Sequence, residues 1–209
     1  MPTRFERRRQ LFELAATQGG YFTAAQARAL GYDRRTLWYH VRARHFERES
    51  RGFYRFIEFP AQSHEDVIAA WLKAGAARAV VSHETALALY DLSPIRPRKI
   101  HLTVARAHRP SKGQPRRPTV QIHTTTRPFR PGEVVTRFGV RVTAPARTIV
   151  DSAEAGTDPS VILEAVGRSV EDGLVTANEL RRAAADRPER VRRLITRAID
   201  EARRHATIP

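Results

Sequence analysis

The sequence predicts an α+β protein with an N-terminal winged helix-turn-helix followed by a mixed domain with a small antiparallel sheet flanked by helices. Two observations support this prediction. Residues 1–60 contain three short amphipathic segments and then a hairpin pattern, whereas residues 99–143 contain runs in which apolar and polar positions alternate. With 209 residues, the chain is long enough to form two cores. We therefore expect one domain at 1–60 and a second at 61–209.

The first two helices are predicted mainly from the residues at their ends. An apolar stripe predicts a helix over 4–18, and Gly19 follows its last turn. A short extended piece separates it from the next helix. Thr23 begins that helix with Gln26 in capping-box spacing, and Gly31 stands where a helix commonly ends.

The third helix and the hairpin complete the predicted N-terminal module. Asp33 is an acidic N-cap, and Leu37 and Val41, four residues apart, predict the buried face of this helix. Strand-like runs at 46–50 and 53–59 then flank a two-residue turn. The order helix, helix, turn, helix, hairpin is that of a winged helix-turn-helix, in which the third helix enters the major groove.

The rest of the chain alternates between helices and short strands. The stretch 106–118 holds three prolines and five basic residues, a composition that predicts an exposed loop. Strands are predicted at 99–105, 119–125, 134–137 and 140–143. Helices are predicted at 63–74 and 83–90, from Pro145, at 158–170, from Thr176, and at 188–204.

The net charge of +15 is concentrated in two blocks of the sequence. Residues 1–60 hold 12 basic and 6 acidic side chains, and residues 96–147 hold 13 basic and 1 acidic. The segments 61–95 and 148–209 are close to neutral. Two separate basic blocks favour a polyanionic partner over a uniformly solvated basic surface.

The composition excludes several classes of site. The chain has no cysteine, which excludes disulfides, cysteine-ligated zinc and thiol nucleophiles. No run approaches the ~18 apolar residues of a membrane span, and the basic start lacks the apolar stretch of a secretory signal. We therefore expect a cytoplasmic, nucleoid-associated protein with no membrane partner. His101 and His123 stand alone in strand-like runs and are interpreted as ordinary surface or core histidines, so no metal or cofactor is expected.

The third helix provides the main candidate site. Arginine can bind guanine bidentately or hold phosphates, and an aromatic ring can lie against the sugar-phosphate backbone or a thymine methyl. We expect base-edge contacts from Arg34 and Arg35, and a phosphate contact from Arg42. Trp38 and Tyr39 would make apolar or backbone contacts. The alternative is an ordinary solvated helix face, with Trp38 packed against a neighbour.

Two further basic groups would add affinity for nucleic acid. The hairpin contains Arg48, Arg51 and Arg55, which would lie along the minor groove or the backbone. Alternatively, they belong to a charged edge strand that blocks sheet pairing. A secondary basic patch in the 96–147 block would follow phosphates or attract RNA or an acidic protein, or is simply a basic loop. This patch consists of Arg106, Arg109, Lys112, Arg116 and Arg117.

The sequence lacks the motifs of common enzyme classes. There is no GxxxxGK[ST] phosphate loop and no GxSxG elbow. The strand-rich block has one acid, Glu133, where a metal-dependent nuclease would need paired carboxylates. Asp151, Glu154 and Asp158 lie on a helix and its exit, where we expect solvated or capping roles. We expect no catalytic residue. The rival interpretation is a nuclease or RNA-modifying enzyme that uses the winged helix as a targeting module.

Several segments resemble the AbiEi-type antitoxins of type IV toxin–antitoxin systems. The N-terminal similarity consists of the run from Gly20 to Gly31, then Leu37 and the closing RGFYR at 51–55. The second half is similar in three further segments, VVSHETA at 80–86, PARTIVD at 145–151 and GLVT at 173–176.

This resemblance implies a DNA-binding transcriptional autorepressor that counters a nucleotidyltransferase-like toxin. The N-terminal domain would bind paired half-sites, an inverted repeat in the operon's own promoter, as a monomer or weak dimer. The C-terminal domain would confer antitoxicity. Many relatives end in a nuclease-like domain, and this chain lacks the acidic strand residues for that activity. Two alternatives stay open: a stand-alone transcription factor without a toxin partner, and an antitoxin that acts only through protein contact.

Overall fold

A computed structural model of the protein describes residues 3–60, 63–94, 96–108 and 119–206. The chain divides into two compact units. The first consists of residues 1–77 together with 136–140, and the second consists of 78–135 together with 141–209. Helices and strands occur in both, which confirms the α+β class.

The first unit has the winged helix-turn-helix arrangement that the sequence predicts. Its three-stranded sheet is antiparallel in the order β1-β3-β2, with β2 and β3 forming the wing. The helices are α1 (Arg4–Ala16), α2 (Ala24–Ala29) and α3 (Arg34–Arg42), and the strands are β1 (Tyr21–Thr23), β2 (Phe46–Ser50) and β3 (Phe53–Phe56).

The ends of α2 and α3 follow from the predicted caps. Thr23 and Gln26 form a complete capping box at the start of α2. Asp33 Oδ1 accepts a hydrogen bond from the Thr36 backbone N–H at 2.6 Å, which begins α3. Between the helices Gly31 has φ of +85°, a conformation that residues with a Cβ rarely adopt. These local signals fix where α3 starts.

An aromatic core holds α3 against the wing. Phe22, Phe46 and Phe56 are buried together with Leu11 and Leu37. The ring centroid of Phe46 lies 5.0 Å from that of Phe22 and 4.7 Å from that of Phe56, both edge-on. Such aromatic pairs contribute about 0.5–1.5 kcal/mol each beyond the area they bury. The core therefore fixes which face of α3 points inward.

The predicted domain boundary at residue 60 is wrong. Helix α4 (Glu65–Ala74) belongs to the first unit, where it packs on β1 and buries Ile68 and Trp71. Lys73 Nζ on this helix donates a hydrogen bond to Ser50 Oγ of the wing at 2.7 Å. A proline such as Pro60 predicts a break between two elements, but it does not reveal which sheet the next helix covers.

The other sheet has five strands in the order β6-β5-β4-β8-β7. Strand β4 pairs antiparallel with β5, but β5–β6 and β4–β8 are parallel. The predicted antiparallel sheet is therefore a mixed one. Its strands are β4 (Ala79–Val81), β5 (Ile100–Ala105), β6 (Val120–Thr125), β7 (Val134–Arg137) and β8 (Val140–Thr143).

The sheet was mispredicted for two physical reasons. Strand β4 is three residues long and buried throughout, so it shows no alternation of apolar and polar positions. Alternation of apolar and polar residues identifies a strand, but it does not show whether the neighbouring strand runs parallel or antiparallel to it. The long connection between β5 and β6 is the kind that a parallel pair requires.

Five further helices and one 3₁₀ turn belong to the second unit in the described part of the chain. Asp158 caps α7 through the Ser160 N–H, and Thr176 forms a capping box at α8, both as predicted. No described helix is long and apolar enough to cross a membrane. The helices are α5 (His83–Leu89), α6 (Pro145–Ala155), α7 (Pro159–Glu171), α8 (Ala177–Ala184) and α9 (Glu189–Ala206), and the 3₁₀ turn is Arg106–His108.

Candidate nucleic-acid interface

The inner face of α3 is formed by Leu37 and His40, which are both buried. The His40 ring stacks on Phe46 with ring centroids 4.7 Å apart, and its Nδ1 lies 3.0 Å from Nδ1 of His45. Val41, which was predicted to be buried, is only half-buried. Burial, assisted by the charge of His45, lowers the pKa of His40 to about 4. The ring is therefore neutral at physiological pH and adds no charge to the helix.

The outer face of α3 carries every residue that the sequence analysis assigned to it. Arg34, Arg35 and Arg42 are exposed. Trp38 is 61% exposed and Tyr39 is 49% exposed, so neither ring is packed in the core. The guanidinium of Arg42 lies 5.1 Å from the centroid of the Trp38 ring. The face thus combines arginines with exposed aromatic rings.

The arginines of this face are not neutralised by ion pairs with the acidic side chains that the structure describes. Within the described residues, Arg34, Arg35 and Arg42 form no ion pair. The nearest acid in sequence, Asp33, uses its carboxylate to cap the helix. Unpaired guanidinium groups keep their donors available for phosphate or base acceptors.

The wing adds two more unpaired arginines. Arg48 and Arg51 are exposed, and neither forms an ion pair with a described residue. Gly52 beside Arg51 has φ of +72°, as this tight turn requires. The register of β2 shifts between Arg48 and Ser50, and such an irregularity increases the local twist of a strand.

Arg55 is a correction to the predicted set. Its side chain is buried in the sheet, where Nε donates to Glu49 Oε1 at 2.9 Å. The other guanidinium nitrogens contact the Glu47 carboxylate and the Phe59 carbonyl oxygen. Glu47 is the cross-strand partner of Arg55. Because these contacts engage all three nitrogens of the guanidinium, Arg55 has a structural role and does not belong to the candidate interface.

Helix α1 contributes a residue that the sequence analysis did not propose. A groove of about 830 Å³ separates the start of α1 from α3, and Arg4, Arg35 and Tyr39 line it. The Arg4 guanidinium lies 5.7 Å from the centroid of the Tyr39 ring. By contrast, Arg7 donates to the Gly31 carbonyl at 3.1 Å and is thereby engaged. In the sequence, the run of arginines at the start of α1 is the signal that could have identified Arg4.

The secondary basic patch lies mostly outside the described residues. Arg106 is exposed and belongs to the 3₁₀ turn after β5. Arg109, Lys112, Arg116 and Arg117 lie outside the described residues. The role of the secondary basic patch therefore stays a prediction.

The second unit contains a histidine cluster that the sequence analysis missed. The rings of His83 and His123 stack with centroids 3.6 Å apart, and His123 Nε2 lies 3.3 Å from His101 Nδ1. The interpretation that His101 and His123 stand alone is wrong, because the parallel register of β5 and β6 brings them together and α5 supplies His83. Burial lowers the pKa of His83 to about 2 and that of His123 to about 4.

An ion-pair network adjoins this cluster. Asp151 is buried and accepts hydrogen bonds from Arg147 Nε at 2.8 Å and Arg187 Nη2 at 2.6 Å. Glu154 pairs with Arg187 and with Arg127. The predicted solvated role of Asp151 and Glu154 is therefore wrong. Among the described residues, no group of three or more histidine, aspartate or glutamate side chains is placed to hold a metal ion.

Comparison with known proteins assigns a family to both halves of the chain. A family model described as "Transcriptional regulator, AbiEi antitoxin" matches residues 9–57. A second, "AbiEi antitoxin C-terminal domain", matches residues 78–199, more than half of the chain. No curated protein matches the sequence. The crystal structure of the RV2827C protein from Mycobacterium tuberculosis is similar in fold, with a TM-score of 0.57 and 14% identity over 93% of this chain and 76% of that one.

Proposed function

Because the chain belongs to the AbiEi antitoxin family of DNA-binding regulators, we propose that it represses its own promoter through α3 and the wing. The observation that supports this most directly is the set of unpaired arginines on one helix face and the adjacent hairpin. Lysine or arginine that neutralises phosphates provides most of the sequence-independent affinity for DNA. The face of α3 adds the donors and rings that distinguish base pairs.

Each residue of the interface would make a specific kind of contact with DNA. Arg34 and Arg35 lie in the first turn of α3, the part of a recognition helix that contacts base edges. Trp38 and Tyr39 contact thymine methyl groups or the sugar-phosphate backbone. Arg42 binds a phosphate, as do Arg48 and Arg51 of the wing and Arg4 of α1.

The target would be an inverted repeat, with one copy of the protein on each half-site. Repeats of this kind match the symmetry of two identical chains, and their half-sites lie about one helical turn apart or a multiple of it. The chain would bind as a monomer or weak dimer. A repressor of this kind would act in the nucleoid.

The second unit would provide the antitoxin activity of a type IV system. This part of the proposal rests on the match of the C-terminal family model to residues 78–199. The toxin would be a nucleotidyltransferase-like protein encoded beside this chain. Coexpression tests it: the chain should relieve the growth arrest caused by that toxin. If growth arrest persists, or no such gene adjoins, the protein is a stand-alone regulator.

Fluorescence anisotropy tests the repressor role. The full chain is titrated onto its own upstream DNA with scrambled DNA as competitor, at two salt concentrations. We expect binding that survives competitor and moderate salt, and that Arg35→Ala weakens about tenfold or more. The control is Arg193→Ala, which changes an arginine of α9 with 80% of its side chain exposed. Binding that the competitor removes, or that both variants weaken equally, would contradict sequence-specific recognition.

A further inference from the structure

Two adjoining cavities in the second unit share a wall of arginines. Each has a volume of about 320 Å³, and Arg127, Arg147 and Arg187 line both. Small-molecule sites in proteins typically measure about 300–1,000 Å³. Two of the segments that resemble the family, 80–86 and 145–151, contribute His83, Arg147 and Asp151 to the lining. The DNA-binding role of the first unit does not account for these residues.

The wall has a small excess of positive charge. Five guanidinium groups line the two cavities against four carboxylates. Arg182, exposed in the second cavity, forms no ion pair with a described residue. Burial lowers the pKa of His83 and of His123, so these histidines of the first cavity are neutral and add no charge. The guanidinium groups are those of Arg127, Arg130, Arg147, Arg182 and Arg187, and the carboxylates are those of Glu133, Asp151, Glu154 and Asp186.

The two buried arginines keep donors that the described contacts do not use. Arg147 is 5% exposed and donates through Nε and Nη1 to Asp151 and Glu133. Arg187 is 9% exposed and donates through Nη1 and Nη2. In the described residues, the Nη2 group of Arg147 and the Nε–H of Arg187 have no hydrogen-bond partner. Planar guanidinium donors held in place by carboxylates match the oxygens of a phosphate.

Apart from its charged residues and one alanine, the first cavity is lined by histidines and threonines, which are polar and uncharged. His83 lines it with φ of +53°, a conformation that is strained for a residue with a Cβ. Its Nδ1 lies 2.8 Å from Ser82 Oγ, which in turn lies 2.7 Å from Thr103 Oγ1. Strain of this kind persists only where the surroundings hold it, and it is concentrated at functional sites. Stacked imidazoles and hydroxyls suit an uncharged polar or aromatic group.

We propose that the two cavities together bind a small phosphate monoester of nucleotide size. The phosphate contacts the arginine wall, and the uncharged part lies beside His83 and His123. This site is independent of the DNA interface, since all its residues belong to the second unit.

Isothermal titration calorimetry of the full chain tests this proposal. The probes are the four ribonucleoside 5′-monophosphates, the corresponding nucleosides and inorganic phosphate. We expect saturable binding of at least one monophosphate with a stoichiometry of one, about tenfold or more tighter than its nucleoside. A 5′-phosphorylated RNA tetramer distinguishes a free nucleotide from a nucleic-acid end as the natural source of the phosphate. No saturable binding of any phosphorylated probe up to millimolar concentration overturns the proposal.

Three variants separate this site from its surroundings. Arg127→Gln changes a partly exposed arginine of the shared wall, so the fold should survive and monophosphate affinity should fall about tenfold. Arg193→Gln on α9 is the matched control and should leave affinity unchanged. Arg35→Ala in α3 should also leave it unchanged, which excludes phosphate binding by the DNA interface. Equal losses in Arg127→Gln and Arg193→Gln, with thermal melting unchanged in both, contradict the proposed site.

Discussion

Arg35 of α3 and Arg147 of α6 have the same side chain in opposite environments. Arg35 is exposed and forms no ion pair with a described residue. Arg147 is buried and donates to Asp151 at 2.8 Å and to Glu133 at 2.9 Å. A guanidinium that carboxylates neutralise adds little to the long-range attraction of a polyanion such as DNA, whereas an unpaired one adds to it. Neighbouring carboxylates therefore decide whether an arginine can attract DNA more than the count of basic residues does.

The largest expected effect is on stability, from Asp151→Ala. This change leaves the buried guanidiniums of Arg147 and Arg187 without their shared carboxylate, so the free energy of unfolding should fall by about 4 kcal/mol. Urea denaturation followed by circular dichroism measures it. The control Glu164→Ala breaks an exposed pair with Arg168 and should cost less than about 1 kcal/mol. Equal losses in the two variants would show that burial does not distinguish the pairs.

The next largest effect is expected for Arg55, which was predicted to contact DNA but is paired with Glu47 and Glu49 in the structure. Arg55→Gln leaves Glu47 and Glu49 without their partner and should lower the free energy of unfolding by about 3 kcal/mol. Affinity for operator DNA should stay unchanged at temperatures where the variant is folded. Anisotropy titration measures the DNA affinity of the variant, and urea denaturation measures its free energy of unfolding. Weaker DNA binding with unaltered stability would return Arg55 to the interface.

A smaller effect is expected from Arg51→Ala in the wing. Arg51 is exposed and unpaired among the described residues, so its loss should leave stability within about 0.5 kcal/mol. DNA affinity should fall only a few-fold, and the slope of log affinity against log salt should decrease by about 1. Titrations at several salt concentrations measure the slope. An unchanged slope would show that the wing does not contact phosphate.

The smallest effect at neutral pH is expected for His40 beneath α3. Burial lowers the pKa of His40 to about 4 from its ordinary 6.5, so the folded protein favours the neutral ring. The stability that the neutral His40 ring gives to the folded protein is fully present above pH 6.5. It is lost as the pH falls towards 4. His40→Phe keeps a ring on Phe46 but removes the titration.

The stability of His40→Phe should therefore differ by less than about 1 kcal/mol at neutral pH and fall less steeply in acid. Urea denaturation at a series of pH values measures both profiles. The exposed His108→Phe serves as the control and should follow the parent profile. Superimposable profiles for His40→Phe and the parent protein would contradict a buried neutral His40.

The sequence predicts the features that depend on near neighbours. Capping residues at Thr23, Asp33 and Thr176, each acting on a residue three positions later, predict the starts of α2, α3 and α8. The helical period likewise places the exposed residues of α3 on one face. These are interactions within a single turn, so the local pattern contains them.

Contacts between distant residues account for the predictions that were wrong. Asp151 and Arg187 are 36 positions apart, and their pairing depends on how α6 packs with the segment before α9. Arg55 looks like a free wing arginine until Glu47 is seen opposite it across the strands. The parallel pairing of β5 and β6, which brings His101 and His123 together, follows from chain topology and not from alternation.

Hydroxyl-radical footprinting of the full chain on its own upstream DNA tests directly whether α3 binds two half-sites. A variant with Arg34→Ala, Arg35→Ala and Arg42→Ala is compared with one that carries Arg168→Ala, Arg192→Ala and Arg193→Ala in the second unit. We expect two protected half-sites for the parent and for the second-unit variant, and no protection for the α3 variant. Protection that survives the α3 substitutions and disappears with those in the second unit would show that α3 is not the recognition helix.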